Sequence, residues 1–144
     1  MKRPIVYFTA TLATVLSLAA VGIGAAVDSP RTLMSRGDYD TARKAIAAEA
    51  RLSYASCRTR TGGERDLCRA QAHAAERVKT AELLARYHGT HAALEDARLA
   101  RVKADFDLER AKCESHSGEA RTECLRAARE DRARALAAAR QATT

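Results

Sequence analysis

Four cysteines are the residues of this chain best suited to covalent or metal chemistry. Cys57 and Cys68 bracket CRTRTGGERDLC, and Cys113 and Cys124 bracket CESHSGEARTEC. Each pair stands eleven positions apart, and each interval carries a glycine at the same offset, Gly62 and Gly118. Thiols so placed have three chemistries open to them: disulfide formation, metal ligation and redox exchange. Spacing argues against two of the three. No Cys-x-x-Cys supports a redox centre, and no Cys-x-x-Cys-His supports haem attachment. A weak metal alternative can be drawn from His88 and His91, an i,i+3 pair, and from His116, three residues after Cys113. The first half has Arg60 at the position of His116, however, and the close cysteine pair of a zinc site is missing. The expectation is oxidised cysteines, surface histidines, no metal and no cofactor.

A disulfide across eleven residues constrains the backbone. In one unbroken helix the two positions lie about 16 Å apart, whereas a disulfide needs Cα atoms within about 7 Å. The chain must fold back. Gly62-Gly63 suits a turn, since two glycines inside a helix cost about 2 kcal/mol relative to alanine. The preferred pairing is therefore Cys57–Cys68 and Cys113–Cys124, each closing the tip of a helical hairpin, with Gly62, Gly63 and Gly118 as turn residues. Two rivals stay open: Cys57–Cys124 with Cys68–Cys113, which suits two long docked helices, and Cys57–Cys113 with Cys68–Cys124.

The elements that must position these cysteines are helical throughout. Tyr39, Ala42, Ile46, Ala50, Tyr54 and Cys57 recur at three- and four-residue steps, marking one face of a helix that begins near Ser35 or Asp38. A second helix carries Leu67, Ala74, Val78, Ala81 and Ala85 to about Tyr87, and Thr61-Gly62-Gly63-Glu64 has the form of a capping box at its start. Gly89 suits a left-handed C-cap. A third helix aligns Leu99, Val102, Phe106 and Cys113. The fourth, from about Glu119 to Arg140, aligns Leu125, Ala128, Leu136 and Ala139. Glu82–Arg86 and Glu130–Arg134 are spaced as i,i+4 ion pairs. A shift of 56 residues superimposes Cys57 on Cys113, Gly62 on Gly118, Arg65 on Arg121 and Cys68 on Cys124. The expected fold is all-α: two repeated helix–Cys loop–helix hairpins, 36–88 and 91–142, forming a thin bundle or elongated hairpins.

The first 26 residues read as an export signal. A short positive start, MKRP, precedes 23 uncharged residues from Ile5 to Val27, and Gly24-Ala25-Ala26 offers the small residues of a cleavage site. The competing expectation is an uncleaved inner-membrane anchor, because a stretch of that length can span a bilayer. Residues 27–35 form a linker in either case, and the remainder is expected in the periplasm or facing it. An even number of cysteines in an exported chain implies disulfides. The need for them is physical. With no Trp, two Phe and four Tyr, nearly half of the 47% hydrophobic fraction is alanine, and stabilisation follows buried apolar area at about 25 cal/mol per Å².

The formal charge of +7 becomes +5 without Lys2 and Arg3, and acids interleave with the 20 arginines. That mixture indicates a solvated helix surface rather than a nucleic-acid interface. The modest excess suits an anionic envelope surface or an unidentified protein partner. Nucleophile elbows, His-Glu-x-x-His and Gly-rich phosphate loops are missing, so the chain is not expected to be an enzyme.

The segments YDTARKAIAAEARLSYASCRTRTGGERDLCRAQA and KADFDLERAKCESHSGEARTECLRAA together resemble a group of small exported, alanine-rich proteobacterial proteins with a twice-repeated Cys-x10-Cys loop. Members carry TolA-like cell-envelope labels. The resemblance implies a non-enzymatic envelope protein acting by surface contacts in a structural or stress-related role, and it implies no catalytic or ligand residues. The alternative function is a periplasmic metal- or cargo-binding, chaperone-like module.

Overall fold

A computed structural model of the chain describes residues 33–142. The expected export signal over 1–26 and most of the linker over 27–35 lie outside the described residues. Four helices follow in order: α1 (Arg36–Ser56), α2 (Gly62–His88), α3 (His91–Cys113) and α4 (Gly118–Gln141), with a single 3-10 turn, Cys57–Thr59, between α1 and α2. No strand occurs among the described residues. Nor is any of these helices long and apolar enough to cross a membrane.

Each helix packs only on its neighbours in sequence: α1 on α2, α2 on α3, and α3 on α4. The domain is thus a row of antiparallel helices, with α2 and α3 inside and α1 and α4 outside. The start of α2 and the end of α3 flank a common cleft, as do the start of α1, the end of α2 and the start of α3. Both cysteine tips therefore lie at one end, and the Gly89 turn lies at the other.

How the helices begin explains how the tips fold. Ser35 and Thr90 cap α1 and α3 conventionally, their hydroxyls accepting from the Asp38 and Ala93 amides at 3.1 and 3.2 Å. At the two tips the device differs. Gly62 and Gly118 open α2 and α4 with φ of +52° and +56°, a left-handed conformation that costs other residues about 1–2 kcal/mol. Thr61 and Ser117 sit at the N-cap positions, yet neither side chain makes a cap hydrogen bond. The expected capping box at Thr61–Glu64 is not formed: the Thr61 carbonyl accepts from the Arg65 amide at 3.3 Å as at the other helix starts, but with the left-handed Gly62 following it the Thr61 hydroxyl accepts no amide. Gly63, expected to share the turn, is an ordinary helical residue. Its counterpart in the second tip is Glu119.

The interior is thin. Its buried members are Ala50, Ala72, Ala85, Ala104, Ala128, Leu83, Cys57, Cys68 and Cys113, and Leu83 is the largest. Stripes expected on the outer helices are at least half-buried throughout. The single stripe expected on α2 is incomplete: Ala72 and Leu83, both off it, are among the best-buried positions, because an inner helix has neighbours on two sides. Polar contacts fill in where alanine leaves area unused. Tyr39 stacks on Tyr87 with ring centroids 4.4 Å apart, Arg77 meets Asp107 at 2.9 Å between α2 and α3, and Lys79 pairs with Glu49. Neither expected i,i+4 pair forms. Glu82 reaches across to Arg101 on α3, while Glu130 pairs with Arg126 and Arg134 with Asp131. A facing helix or a nearer acid outcompetes the same-helix partner.

Candidate functional site

The sequence-derived site residues are the cysteines, and the structure joins them locally. Cys57 bonds Cys68 and Cys113 bonds Cys124, with Cα–Cα distances of 5.6 and 5.7 Å. No cysteine is free. Cys57 and Cys113 are fully buried, at 1% and 0% exposure, so each tip closes around its own bridge. Gly62 and Gly118 make the reversal possible.

His88 and His91 flank the Gly89 turn, whereas His116 lies in the second tip at the opposite end of α3. A 23-residue helix separates them, about 35 Å of rise, so the fold does not bring the three histidines together. Among the described residues no group of three or more His, Cys, Asp or Glu side chains is placed to hold a metal ion.

Around the first bridge the structure brings Arg58 and Arg69, which no sequence motif marks, together with three residues that the stripe, the cysteine spacing and the repeat do mark. Tyr54, Cys57, Arg58, Arg65 and Arg69 line a concave site of about 330 Å³. Arg58 comes from the 3-10 turn; Arg65 and Arg69, one turn apart on α2, present their side chains on the same face. Tyr54 forms the wall on the α1 side. Its hydroxyl donates to the Glu76 carboxylate at 3.0 Å. Burial raises the phenol above its ordinary range and the hydrogen bond to Glu76 raises it further, while the Arg69 charge pulls it partly back. Tyr54 is therefore a neutral donor at physiological pH. It is engaged with Glu76 and leaves the three guanidinium groups as the polar contents of the concavity.

The second tip shares the disulfide span and the left-handed glycine of the first, without its 3-10 turn, and has a different charge pattern. Counting on by 56, Arg58 becomes Glu114, Arg65 becomes Arg121 and Arg69 becomes Leu125. Glu114 and Arg121 form an ion pair at 2.6 Å. The acid that neutralises the second tip is thus replaced by a base in the first. The 56-residue repeat carries this signal, at positions flanking its shared cysteines and glycines.

Between the tips, Glu64, Asp66 and Leu67 of α2 face Ala111, Lys112 and Ser115 across a cleft of about 440 Å³. Its mixed charges favour no particular ligand. Chemically, the tip end offers a cationic concavity and two sealed disulfides. In comparisons with known proteins, no family model matches this chain, and no curated protein or solved structure matches it.

Proposed function

We propose that this chain is a non-enzymatic, exported protein of the cell envelope, stapled by two disulfides and acting through its surface in a structural or stress-related role. The observation that carries this reading is the oxidised state of all four cysteines in a domain whose interior is mostly alanine. Disulfides persist in oxidising compartments and are rare in the reducing cytosol. A thin core needs them most, since two closed loops contribute a large share of a total stability of about 5–15 kcal/mol. The resemblance of the cysteine loops to those of small exported proteobacterial proteins supports the same compartment. The uncharged stretch from Ile5 to Val27 supplies the route, cleaved as a signal or retained as an inner-membrane anchor facing the periplasm.

The test is to trap thiols directly in living cells with an alkylating reagent, alongside fractionation of the envelope. All four cysteines are expected to resist modification, and the protein is expected outside the cytoplasm. Four alkylated cysteines in a chain that keeps its helices docked would end the proposal. The metal-binding alternative gains nothing from the histidines, which stand at opposite ends of the domain.

A further inference from the structure

We infer that the concavity at the first disulfide tip is an anion site for a phosphate group, held by Arg58, Arg65 and Arg69. The protein supplies its own control for the inference. An arginine already balanced by an acid offers no anion site, whereas arginines gathered without one do. At the second tip Arg121 is matched by Glu114 at 2.6 Å. At the first tip its equivalent, Arg65, shares the concavity with Arg58, and a third guanidinium, Arg69, joins them. None of the three forms an ion pair among the described residues, and Glu76, the carboxylate bonded to the Tyr54 wall of the site, is engaged by that phenol. All three are exposed to solvent and line one concavity, and an anion bound among them would offset their mutual repulsion.

The chemistry of the anion follows from the donors. Guanidinium forks match the oxygens of phosphate in paired hydrogen bonds. Three of them exceed what a single carboxylate can neutralise, whereas a phosphate monoester carries about two negative charges at neutral pH and three acceptor oxygens. A volume of about 330 Å³ accommodates such a group with some of its water. The buried disulfide behind it holds Arg58 on its turn against α2. The source of the phosphate is either a lipid headgroup or a soluble phosphate compound.

This site deepens the surface-contact reading but does not stand or fall with export. A chain that binds phosphate yet has free thiols in cells loses the envelope reading and keeps the site; an exported chain indifferent to phosphate does the reverse. The experiment titrates inorganic phosphate into the oxidised full-length chain at constant ionic strength and follows backbone amide shifts. Saturable shifts are expected across residues 54–69 and not across 110–125. Arg58→Glu, which installs the acid found at the second tip, is expected to weaken binding at least tenfold. Arg60→Glu makes the same charge change at an exposed position outside the concavity and is expected to leave affinity within about twofold. Arg69→Gln, a milder change, is expected to cost several-fold and guards against misfolding of the first variant. Unsaturable shifts, equal shifts at both tips, or equal losses from the Arg58 and Arg60 variants would overturn the site in favour of diffuse charge. Sedimentation with vesicles containing phosphatidic acid, whose headgroup is a phosphate monoester, reversed by inorganic phosphate and not seen with phosphatidylcholine alone, identifies a lipid headgroup. Saturable phosphate binding without sedimentation identifies a soluble phosphate compound.

Discussion

At the first tip Arg58 and Arg65 face one concavity; fifty-six residues on, Glu114 and Arg121 close into an ion pair. The same divergence runs down the helices. Tyr54 donates to Glu76 in the first hairpin, but its counterparts in the second are Arg110 and Arg132, whose guanidiniums lie 5.8 and 4.8 Å from the Phe106 ring centre. Phe106 itself replaces Ala50. What the hairpins share is smaller and more hidden: the bridged cysteines, a left-handed glycine, and the alanine pair Ala72 and Ala128, at 8% and 5% exposure. The shared set closes a tip and lets two helices approach. Several other positions differ in charge, among them Arg58 and Glu114 and Glu76 and Arg132, while Arg65 and Arg121 are alike.

The comparison treats the two bridges as equivalent staples, and removing them is its severest test. Closing a loop of this length contributes about 3 kcal/mol by loss of unfolded-chain entropy. Cys57→Ser and Cys113→Ser are each expected to lower the melting temperature by roughly 10 °C or more in oxidising buffer, and hardly at all under reductant. Calorimetry in both buffers checks this. A loss that persists under reductant would locate the stabilisation in packing rather than in the bond.

A smaller effect separates the glycines. Gly62→Ala and Gly118→Ala force a side chain into φ near +50° and are expected to cost about 1–2 kcal/mol each. Gly63→Ala is expected to stabilise by about 0.4–1 kcal/mol, because its helical backbone accepts alanine and an added Cβ meets nothing within 4 Å. Urea melts of the three variants read the signs directly. Equal effects at Gly62 and Gly63 would mean that the two tips turn differently after all.

That pattern also marks how far the sequence was legible. Cysteine spacing and glycine placement revealed the hairpins, since few backbones satisfy both constraints. Apolar stripes located α1 and α4, outer helices with one buried face each. They missed Leu83 and Ala104 because α2 and α3 bury two faces, and in an alanine-rich helix the second face has no signature of its own. The Thr61 cap failed for a local reason, the left-handed residue that follows it. The arginine site has no sequence motif of its own: it rests on a charge reversal between equivalent positions, and the turn of the chain at each tip sets which positions are neighbours.

Tyr54 sharpens the contrast along the helices. Tyr54→Phe removes the bond to Glu76 and is expected to cost about 1 kcal/mol, with no counterpart in the second hairpin. Its pH dependence has a definite sign. The folded-state phenol is raised, first by burial and then by Glu76, so its contribution is complete below the unfolded tyrosine value of about 10 and is lost as pH climbs through the higher folded value. Stability should therefore fall on the alkaline side in the native chain more steeply than in Tyr54→Phe. Parallel curves for the two proteins would remove Tyr54 as a specific contact of the first hairpin.

The smallest expected effect bears most directly on the tips, because there the two should differ in sign. Glu114 and Arg121 are about half exposed, at 54% and 46%, and pairs of that kind contribute about 0–1 kcal/mol and weaken with salt. Glu114→Ala is expected to cost a few tenths of a kcal/mol at low ionic strength, and nothing measurable in molar salt. Arg58→Ala at the first tip removes a like charge rather than a partner, so in phosphate-free buffer it is expected to be neutral or slightly stabilising. Adding phosphate should reverse that order, since the native site then gains stability from its ligand while the variant gains less. A destabilising Arg58→Ala without phosphate, equal to that of Glu114→Ala, would mean that Arg58 has a structural partner and that the tips differ in residue identity but not in purpose.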